Sequence, residues 1–301
     1  MTASPPLSDL SKYTYGTTRL GDESLPFADR VGIARAAMAA GVWFHTSHTY
    51  GHALQVLRAA FDEDRAHVPP AIFKIGWDSI EQMRDVIRQN IEPLGIDRMA
   101  IGQLCLGGPL AEEFRTGGKC YDDFRRLKDE GLVERFVLEV WPWNSDVPLE
   151  ALRAGYPEGI VDGYIFYLNP LQRFVSDDLW DLLQERDESI IAMRTVSGGE
   201  VHRLRDNPKA PEYQRQRAAE VAPLFDRSGC RTWPEFAMRF AHGFPQVRSS
   251  VGATSKPENL AEFLDAAGSL APLPEDIQAE IVALQRRWYE EHDRHAAPWS
   301  M

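Results

Sequence analysis

The chain has 301 residues, of which 44% are hydrophobic and 26% are charged, a mixture typical of globular proteins. Its 45 acidic residues outnumber its 33 basic ones, and the net charge of −12 argues against nucleic acid or anionic membranes as partners. The 3 cysteines show no Cys-x-x-Cys spacing, so we expect no disulfide framework, no metal site and a cytoplasmic location. The N-terminus lacks the apolar segment of a signal peptide, and no apolar run is long enough to span a membrane.

Short runs rich in β-branched and aromatic residues recur along the chain. Most of these runs are continuously apolar, which is typical of strands buried on both faces of a parallel sheet. The predicted strands are 13–18, 42–46, 71–76, 100–106, 135–140, 163–168, 190–195 and 247–252.

Amphipathic segments that predict helices alternate with these strands. In the first of them, Val31, Ala34 and Met38 share one face, and Gly41 is a typical C-terminal cap. The predicted helices cover 26–41, 52–64, 79–91, 121–131, 176–187, 233–243, 256–268 and 274–292.

The alternation of strands and helices predicts an α/β fold, a (β/α)8 or TIM barrel, as a single domain over residues 1–301. A doubly wound open sheet is the alternative, but no Gly-x-Gly-x-x-Gly turn follows any strand. The polar stretch 197–231 interrupts the alternation. We expect a loop insertion over the barrel mouth there, helical in part at 212–226.

Polar side chains stand at or near the ends of most predicted strands. In a (β/α)8 barrel the chemistry lies at the C-terminal ends of the strands. A charge that ends a buried apolar strand is costly unless it faces a polar cavity, and Lys74 in AIFKIG is the clearest example. Alternatively, the Lys74 side chain extends along the apolar surface and only its ammonium reaches solvent at the barrel rim. The residues at these ends are His45, Lys74, Cys105, Glu139, Asn169 and Arg194, with His48 and Tyr50 just after the second strand.

Six segments of the chain, taken in order, form a recognisable pattern. They are YGTTRLG (15–21), AAGVWFHTSHTYGHALQVLRAAF (39–61), FKIG (73–76), FRRLKDEGLV (124–133), YLNPLQ (167–172) and SVGATSKPENLAEFLDA (250–266). Together they resemble the aldo/keto reductases over about residues 13–267. The resemblance implies a (β/α)8 fold and the reduction of carbonyl compounds with NADPH.

The resemblance implies that Tyr50 gives a proton to the substrate and that Lys74 is its cationic neighbour. The Asp of the family falls on His45 and its His falls on Cys105, for which a small core residue is the favoured alternative to a nucleophile. We expect Lys74 to lower the pKa of Tyr50, and His45 to lower that of Lys74. The predicted catalytic residues are therefore Tyr50, Lys74, His45 and Cys105.

The residues that hold the nicotinamide in the family are also changed. Its Ser-Asn pair falls on Glu139 and Val140, its Gln on Ile165 and its stacking Tyr on Met193. Val140 and Ile165 cannot make hydrogen bonds to the carboxamide, so NADPH binding is expected to be weakened or lost. The predicted cofactor-binding residues are Gly252, Thr254, Ser255, Lys256, Glu262, Asn169, Met193 and Arg194.

Three hypotheses for the function remain open. The first is a reductase acting on a small molecule such as a sugar or an anionic carbonyl compound, with substrate contacts from His48, Glu139, Trp77 and Trp141, although His48 could be a solvated loop residue. The second is a cofactor-independent isomerase or lyase that would use His45, Tyr50, Lys74, Glu139 and Arg194. The third is a non-catalytic binding protein on the same barrel.

Overall fold

Eight parallel strands close into a barrel, as the sequence predicts. The computed structural model describes residues 6–156, 159–196 and 199–295. Each predicted strand agrees with an observed one to within two residues at either end. The strands are β1 (Tyr13–Gly16), β2 (Trp43–Thr46), β3 (Ala71–Ile75), β4 (Met99–Cys105), β5 (Val133–Glu139), β6 (Gly163–Asn169), β7 (Gln172–Arg173), β8 (Ile190–Met193) and β9 (Val247–Ala253).

The order of the strands shows that the sheet is closed. It runs β5-β4-β3-β2-β1-β9-β8-β6, and pairing of β5 with β6 completes the ring, so the open-sheet alternative is wrong. The short β7 lies outside the ring and forms an antiparallel hairpin with β6. The register places Lys74 opposite Gln103 and Cys105 opposite Glu139, so these side chains reach the same end of the barrel.

Two hydrophobic cores hold the barrel together. The larger lies between the strands and the surrounding helices, and the smaller fills the inside of the barrel. Leu7 and Leu10 belong to the inner core, although they precede β1. The inner core also contains Trp43, Ile72, Ile101, Val137, Ile165, Tyr167, Phe174, Ile191, Met193 and Val251.

Twelve helices surround the strands in the described residues. Side-chain caps start several of them; Ser79, for example, accepts a hydrogen bond from the Gln82 amide at the start of α3. The helices are α1 (Phe27–Ala39), α2 (Ala53–Glu63), α3 (Ile80–Ile91), α4 (Gly108–Thr116), α5 (Lys119–Asp129), α6 (Asp146–Ala154), α7 (Asp177–Glu185), α8 (Val201–Arg205), α9 (Glu212–Arg227), α10 (Trp233–His242), α11 (Pro257–Gly268) and α12 (Glu275–Glu291).

Much of the stretch 197–231, predicted as a loop insertion, is helical. Glu200 caps α8 by accepting hydrogen bonds from two backbone amides, and α9 covers the part predicted to be helical. Arg217 of α9 forms a buried ion pair with Asp293 at 2.7 Å and also donates to the Leu171 carbonyl. These contacts tie α9 to the β6–β7 turn and to the chain after α12. Residues 197 and 198 of the stretch lie outside the described residues.

The prediction of one domain extends to both termini, and residues 1–5 and 296–301 lie outside the described part of the chain. Within the described part, no helix has the length and apolar character needed to cross a membrane.

Candidate active site

A cavity of about 560 Å³ opens at the C-terminal ends of the barrel strands. Six of the predicted site residues line it, namely His45, Tyr50, Lys74, Met193, Arg194 and Gly252. A larger groove of about 870 Å³ lies elsewhere, between α1 and the segment after α2, and includes none of the predicted residues. The cavity at the strand ends is therefore the candidate site.

Glu139 connects two of the predicted catalytic residues. The Lys74 ammonium donates to its Oε1 at 3.2 Å, and the Cys105 thiol donates to its Oε2 at 3.2 Å. The Glu139 side chain is 2% exposed, whereas that of Lys74 is 27% exposed and reaches the cavity. Burial and the nearby carboxylate raise the pKa of Cys105 to about 12, so Cys105 is a neutral thiol and not a ready nucleophile.

His45 is buried below the cavity opening and is neutral. Its Nε2 donates to Oε1 of Gln103 at 2.6 Å. Burial and the neighbouring Lys74 charge lower the pKa of His45 to about 4. His45 therefore offers Lys74 no negative charge at neutral pH.

The pKa of Lys74 differs from the sequence prediction. Burial alone would lower it, but the Glu139 carboxylate, with smaller contributions from Tyr50 and Cys105, raises it above its ordinary value. The predicted lowering by His45 is therefore wrong as a net effect. The physical reason is a carboxylate on β5 that sequence reasoning assigned to the substrate.

Tyr50 lies beside His45, with 6.2 Å between the ring centroids, and the Thr18 side chain lies near its hydroxyl. Burial raises the pKa of Tyr50, and the Lys74 charge offsets only part of this rise, so the predicted net lowering is wrong. Tyr50 is thus protonated at neutral pH and can donate its proton.

Arg194 is held in an unusual backbone conformation at the cavity. Its φ is 51°, a left-handed value that costs a non-glycine residue energy. Asn169 Nδ2 donates to the Arg194 carbonyl at 3.1 Å, and the guanidinium lies 4.7 Å from the centroid of the Tyr167 ring. Since Asn169 Oδ1 accepts from the Leu171 amide, the Asn169 side chain shapes this corner from within the protein.

None of the four predicted substrate residues, His48, Glu139, Trp77 and Trp141, is among the described residues that line the cavity. Trp77 is buried and donates to Asp123 at 3.1 Å, while His48 is hydrogen-bonded through its backbone and ring to Asn90. Trp141 is closer to the cavity, because its ring packs edge-on against Tyr167, a lining residue, at 5.0 Å.

The predicted cofactor residues after β9 form a connected turn. Thr254 Oγ1 accepts from the Lys256 amide at 3.1 Å, and Lys256 is exposed just before α11. Ser255 lies between them, and Glu262 is half-buried on α11. Gly252 lines the cavity, where a Cβ would lie 3.3 Å from Val196.

The surroundings fit a nicotinamide cofactor in part. Met193 presents a polarisable side chain to the cavity, and Arg194 and Lys256 offer cations to phosphates. No carboxamide partner is available at the three expected positions. Val140 packs in the outer core, Ile165 in the inner core, and both oxygens of Glu139 are engaged.

Sequence reasoning missed several residues of the site. Gln103, which orients His45, lies in the middle of the apolar run AIGQLCL, and this polar interruption was the available signal. Thr18 and Arg19 line the cavity just after β1; they belong to the segment YGTTRLG, but sequence reasoning assigned neither of them to the site. No group of three metal-ligating side chains occurs within the described ranges.

Comparison with known proteins identifies the fold. No protein-family model and no curated protein matches this sequence. Among solved structures, the holo form of an aldo-keto reductase from Bacillus halodurans matches with a TM-score of 0.69 and 18% identity, over 92% of this chain and 95% of that one. The chain has the aldo-keto reductase fold. The apo form matches with a TM-score of 0.69 and 18% identity, over 94% and 98% of the two chains.

A second protein with the aldo-keto reductase fold gives the same result. A putative aldo-keto reductase from Pseudomonas aeruginosa matches with a TM-score of 0.61 and 16% identity, over 88% of this chain and 93% of that one. The (β/α)8 barrel predicted from the sequence is thereby confirmed.

Proposed function

We propose that this protein is a cytoplasmic carbonyl reductase that uses NADPH, with Tyr50 as its proton donor. The observation that supports this most directly is the pair formed by Tyr50 and Lys74. Both line the cavity that contains six of the predicted site residues, at the end of the barrel where enzymes of this architecture have their active sites. The fold shared with aldo-keto reductases agrees with this reaction but does not determine it.

Tyr50 and Lys74 have different roles in the proposed reduction. NADPH supplies the hydride when it is bound. Tyr50, protonated at neutral pH, donates its hydroxyl proton to the carbonyl oxygen of the substrate as that oxygen becomes an alcohol. The Lys74 ammonium stabilises the tyrosinate that remains, because an opposite charge nearby favours the ionised form.

NADPH would be held by Met193 and Arg194 on one side and by the turn from Gly252 to Lys256 on the other. Its carboxamide would lack the side-chain partners that the resemblance implies. Two lost hydrogen bonds at about 1 kcal/mol each weaken binding by at least about tenfold. We therefore propose an affinity for NADPH well below that of a reductase that keeps those partners.

The charges around the cavity favour an anionic carbonyl compound over a neutral sugar. Arg19, Lys74 and Arg194 all line the cavity, and Glu139 lies behind Lys74, outside the described lining. A keto acid or a phosphorylated aldehyde would place its anionic group near the two guanidinium groups.

Steady-state reduction of a panel of keto acids, phosphorylated aldehydes and neutral sugars with NADPH tests the proposal. We expect turnover of an anionic carbonyl compound at millimolar NADPH, and loss of that turnover in Tyr50→Phe. Absence of NADPH oxidation with every compound, despite folded protein, would contradict the proposal.

A cofactor-independent isomerase or lyase is the second candidate. The observation that favours it is the burial of Glu139 behind Lys74 and Cys105, which keeps this side chain away from the carboxamide position. This candidate requires activity on a hydroxy- or keto-substrate with no nucleotide present and no binding of NADPH in a tryptophan fluorescence titration. NADPH binding without any turnover would instead favour a non-catalytic binding protein.

A further inference from the structure

Lys74 carries a charge in a half-buried position, so something must compensate it. A buried ion is tolerated only when it is paired and its hydrogen bonds are satisfied. The side chain of Lys74 is 27% exposed, and burial by itself would lower its pKa. The titratable or charged groups around it are His45 on β2, Tyr50 after β2, Cys105 on β4, Glu139 on β5, Tyr167 on β6 and Arg194 after β8.

Only one of these groups can supply a negative charge at neutral pH. His45 is neutral and is committed to Gln103, while Tyr50, Tyr167 and Cys105 are protonated because burial raises the pKa of each. Arg194 is itself a cation. The Glu139 carboxylate alone remains, and its Oε1 is 3.2 Å from the Lys74 ammonium.

The fold explains how Glu139 reaches Lys74 across an intervening strand. Lys74 pairs in register with Gln103 of β4, and Cys105, two residues further along β4, pairs with Glu139 of β5. The Gln103 side chain is hydrogen-bonded to His45, whereas the Glu139 side chain reaches Lys74. The Cys105 thiol donates to the second carboxylate oxygen, so both oxygens are satisfied and the side chain is held in one orientation.

We propose that Glu139 is the positioning residue of this site: it fixes the Lys74 ammonium beside Tyr50, in a chain whose second strand carries His45 and no carboxylate. The inference rests on the proposed function for its catalytic consequence. The ion pair itself can be tested without any turnover.

The same contact explains why the cofactor site is altered. The Glu139 carboxylate has no proton to donate to the carboxamide oxygen, and its side chain is only 2% exposed. The side chain at position 139 therefore positions Lys74 instead of binding the nicotinamide.

Competitive labelling of lysines with acetic anhydride, read by mass spectrometry across pH, measures the protonation of Lys74 directly. In the unchanged protein, Lys74 should titrate above the ordinary lysine value of 10.5. In Glu139→Gln the ion pair is lost while shape is kept, and reactivity at pH 8 should rise about tenfold or more. In Glu139→Asp the carboxylate remains and most of the protection should persist.

Two further variants separate pairing from general damage. In the double variant His45→Asp with Glu139→Gln, a carboxylate returns on the other side of Lys74, and the labelling should fall back towards that of the unchanged protein. Asp162→Asn removes a different carboxylate–lysine contact, in which Lys128 Nζ lies 2.9 Å from Asp162 Oδ2, outside the cavity. Lys74 labelling should not change there.

The outcomes distinguish this inference from the proposed function. Unchanged Lys74 labelling in Glu139→Gln, or an equal change in Asp162→Asn, overturns the role of Glu139 even if the protein reduces carbonyls. A shifted titration without any reductase activity supports the ion pair and contradicts the proposed function. If Glu139→Gln does not fold, the titration of the unchanged protein decides, because a Lys74 value below 10.5 would overturn the pairing.

When reduction is observed, its pH profile adds a readout that a purely structural role would not move. Loss of the carboxylate should shift the alkaline limb of kcat to lower pH in Glu139→Gln, and Glu139→Asp should restore it. A uniform drop in kcat at every pH would contradict the positioning role.

Discussion

Replacing Tyr50 by Phe removes one hydroxyl group from the cavity and leaves the ring in place. Even if the hydroxyl makes one hydrogen bond, its loss costs about 1 kcal/mol of stability. For a chain of this size, that loss lowers the melting temperature by about 2 °C. The barrel should therefore remain folded, and a loss of activity can be attributed to chemistry.

The expected effect on turnover is much larger than the effect on stability. A positioned general acid contributes about 10²–10⁴-fold to a proton-transfer step. The Tyr50→Phe variant should lose kcat by a factor in that range while substrate KM changes little, because the ring and the three cations remain. Steady-state NADPH oxidation with the best substrate, together with thermal unfolding, measures both effects.

Tyr121→Phe is a matched control. The Tyr121 hydroxyl makes one hydrogen bond, to the Phe114 carbonyl at 2.8 Å, and it lies among the outer helices. This variant should lose stability by a comparable or larger amount and keep its kcat. If Tyr50→Phe keeps more than about a tenth of kcat, or if both variants lose activity equally, Tyr50 is not the proton donor.

Three further predictions concern charge, stability and the cofactor. Burial holds the pKa of His45 at about 4 instead of 6.5, so the unfolded chain binds a proton at a higher pH than the folded chain. The free energy of unfolding should therefore fall by about 3 kcal/mol as the pH drops from 6.5 to 4. Urea unfolding of His45→Asn across this pH range should show a smaller fall, and an unchanged fall would contradict the prediction. Arg217→Met removes the guanidinium that pairs with the buried Asp293, which keeps its contact with His292 Nδ1 at 3.0 Å, so urea unfolding should show a loss of about 3 kcal/mol. A loss below about 1 kcal/mol would show that the pair contributes little. Ile165→Gln should tighten NADPH binding in calorimetry about fivefold by restoring one hydrogen bond, and weaker binding would argue against this cofactor position.

The strands were predictable because their signal is local. A buried parallel strand needs a short apolar run wherever it lies in the chain, and all eight runs became barrel strands. The helices α4 and α6 escaped prediction, although each has a proline in its first turn, a typical start signal. Helix α8 has only 5 residues, too few to show an amphipathic repeat.

The partners of the site residues were harder to predict because they depend on contacts between distant parts of the chain. Sequence reasoning placed Lys74 and Glu139 at strand ends but assigned Glu139 to the substrate. That the two meet depends on the register of three strands, which no single segment encodes. Trp77 was also assigned to the substrate, but its indole N–H donates a hydrogen bond to Asp123 on α5, a contact between distant segments.

The most direct test of the proposed function is a progress curve of NADPH oxidation with an anionic carbonyl compound, recorded with product identification and with no added metal. We expect one alcohol formed for each NADPH consumed, at a rate that Tyr50→Phe reduces by at least about a hundredfold. Conversion of the compound without consumption of NADPH, or no conversion at saturating NADPH, would contradict the assignment of this protein as a carbonyl reductase.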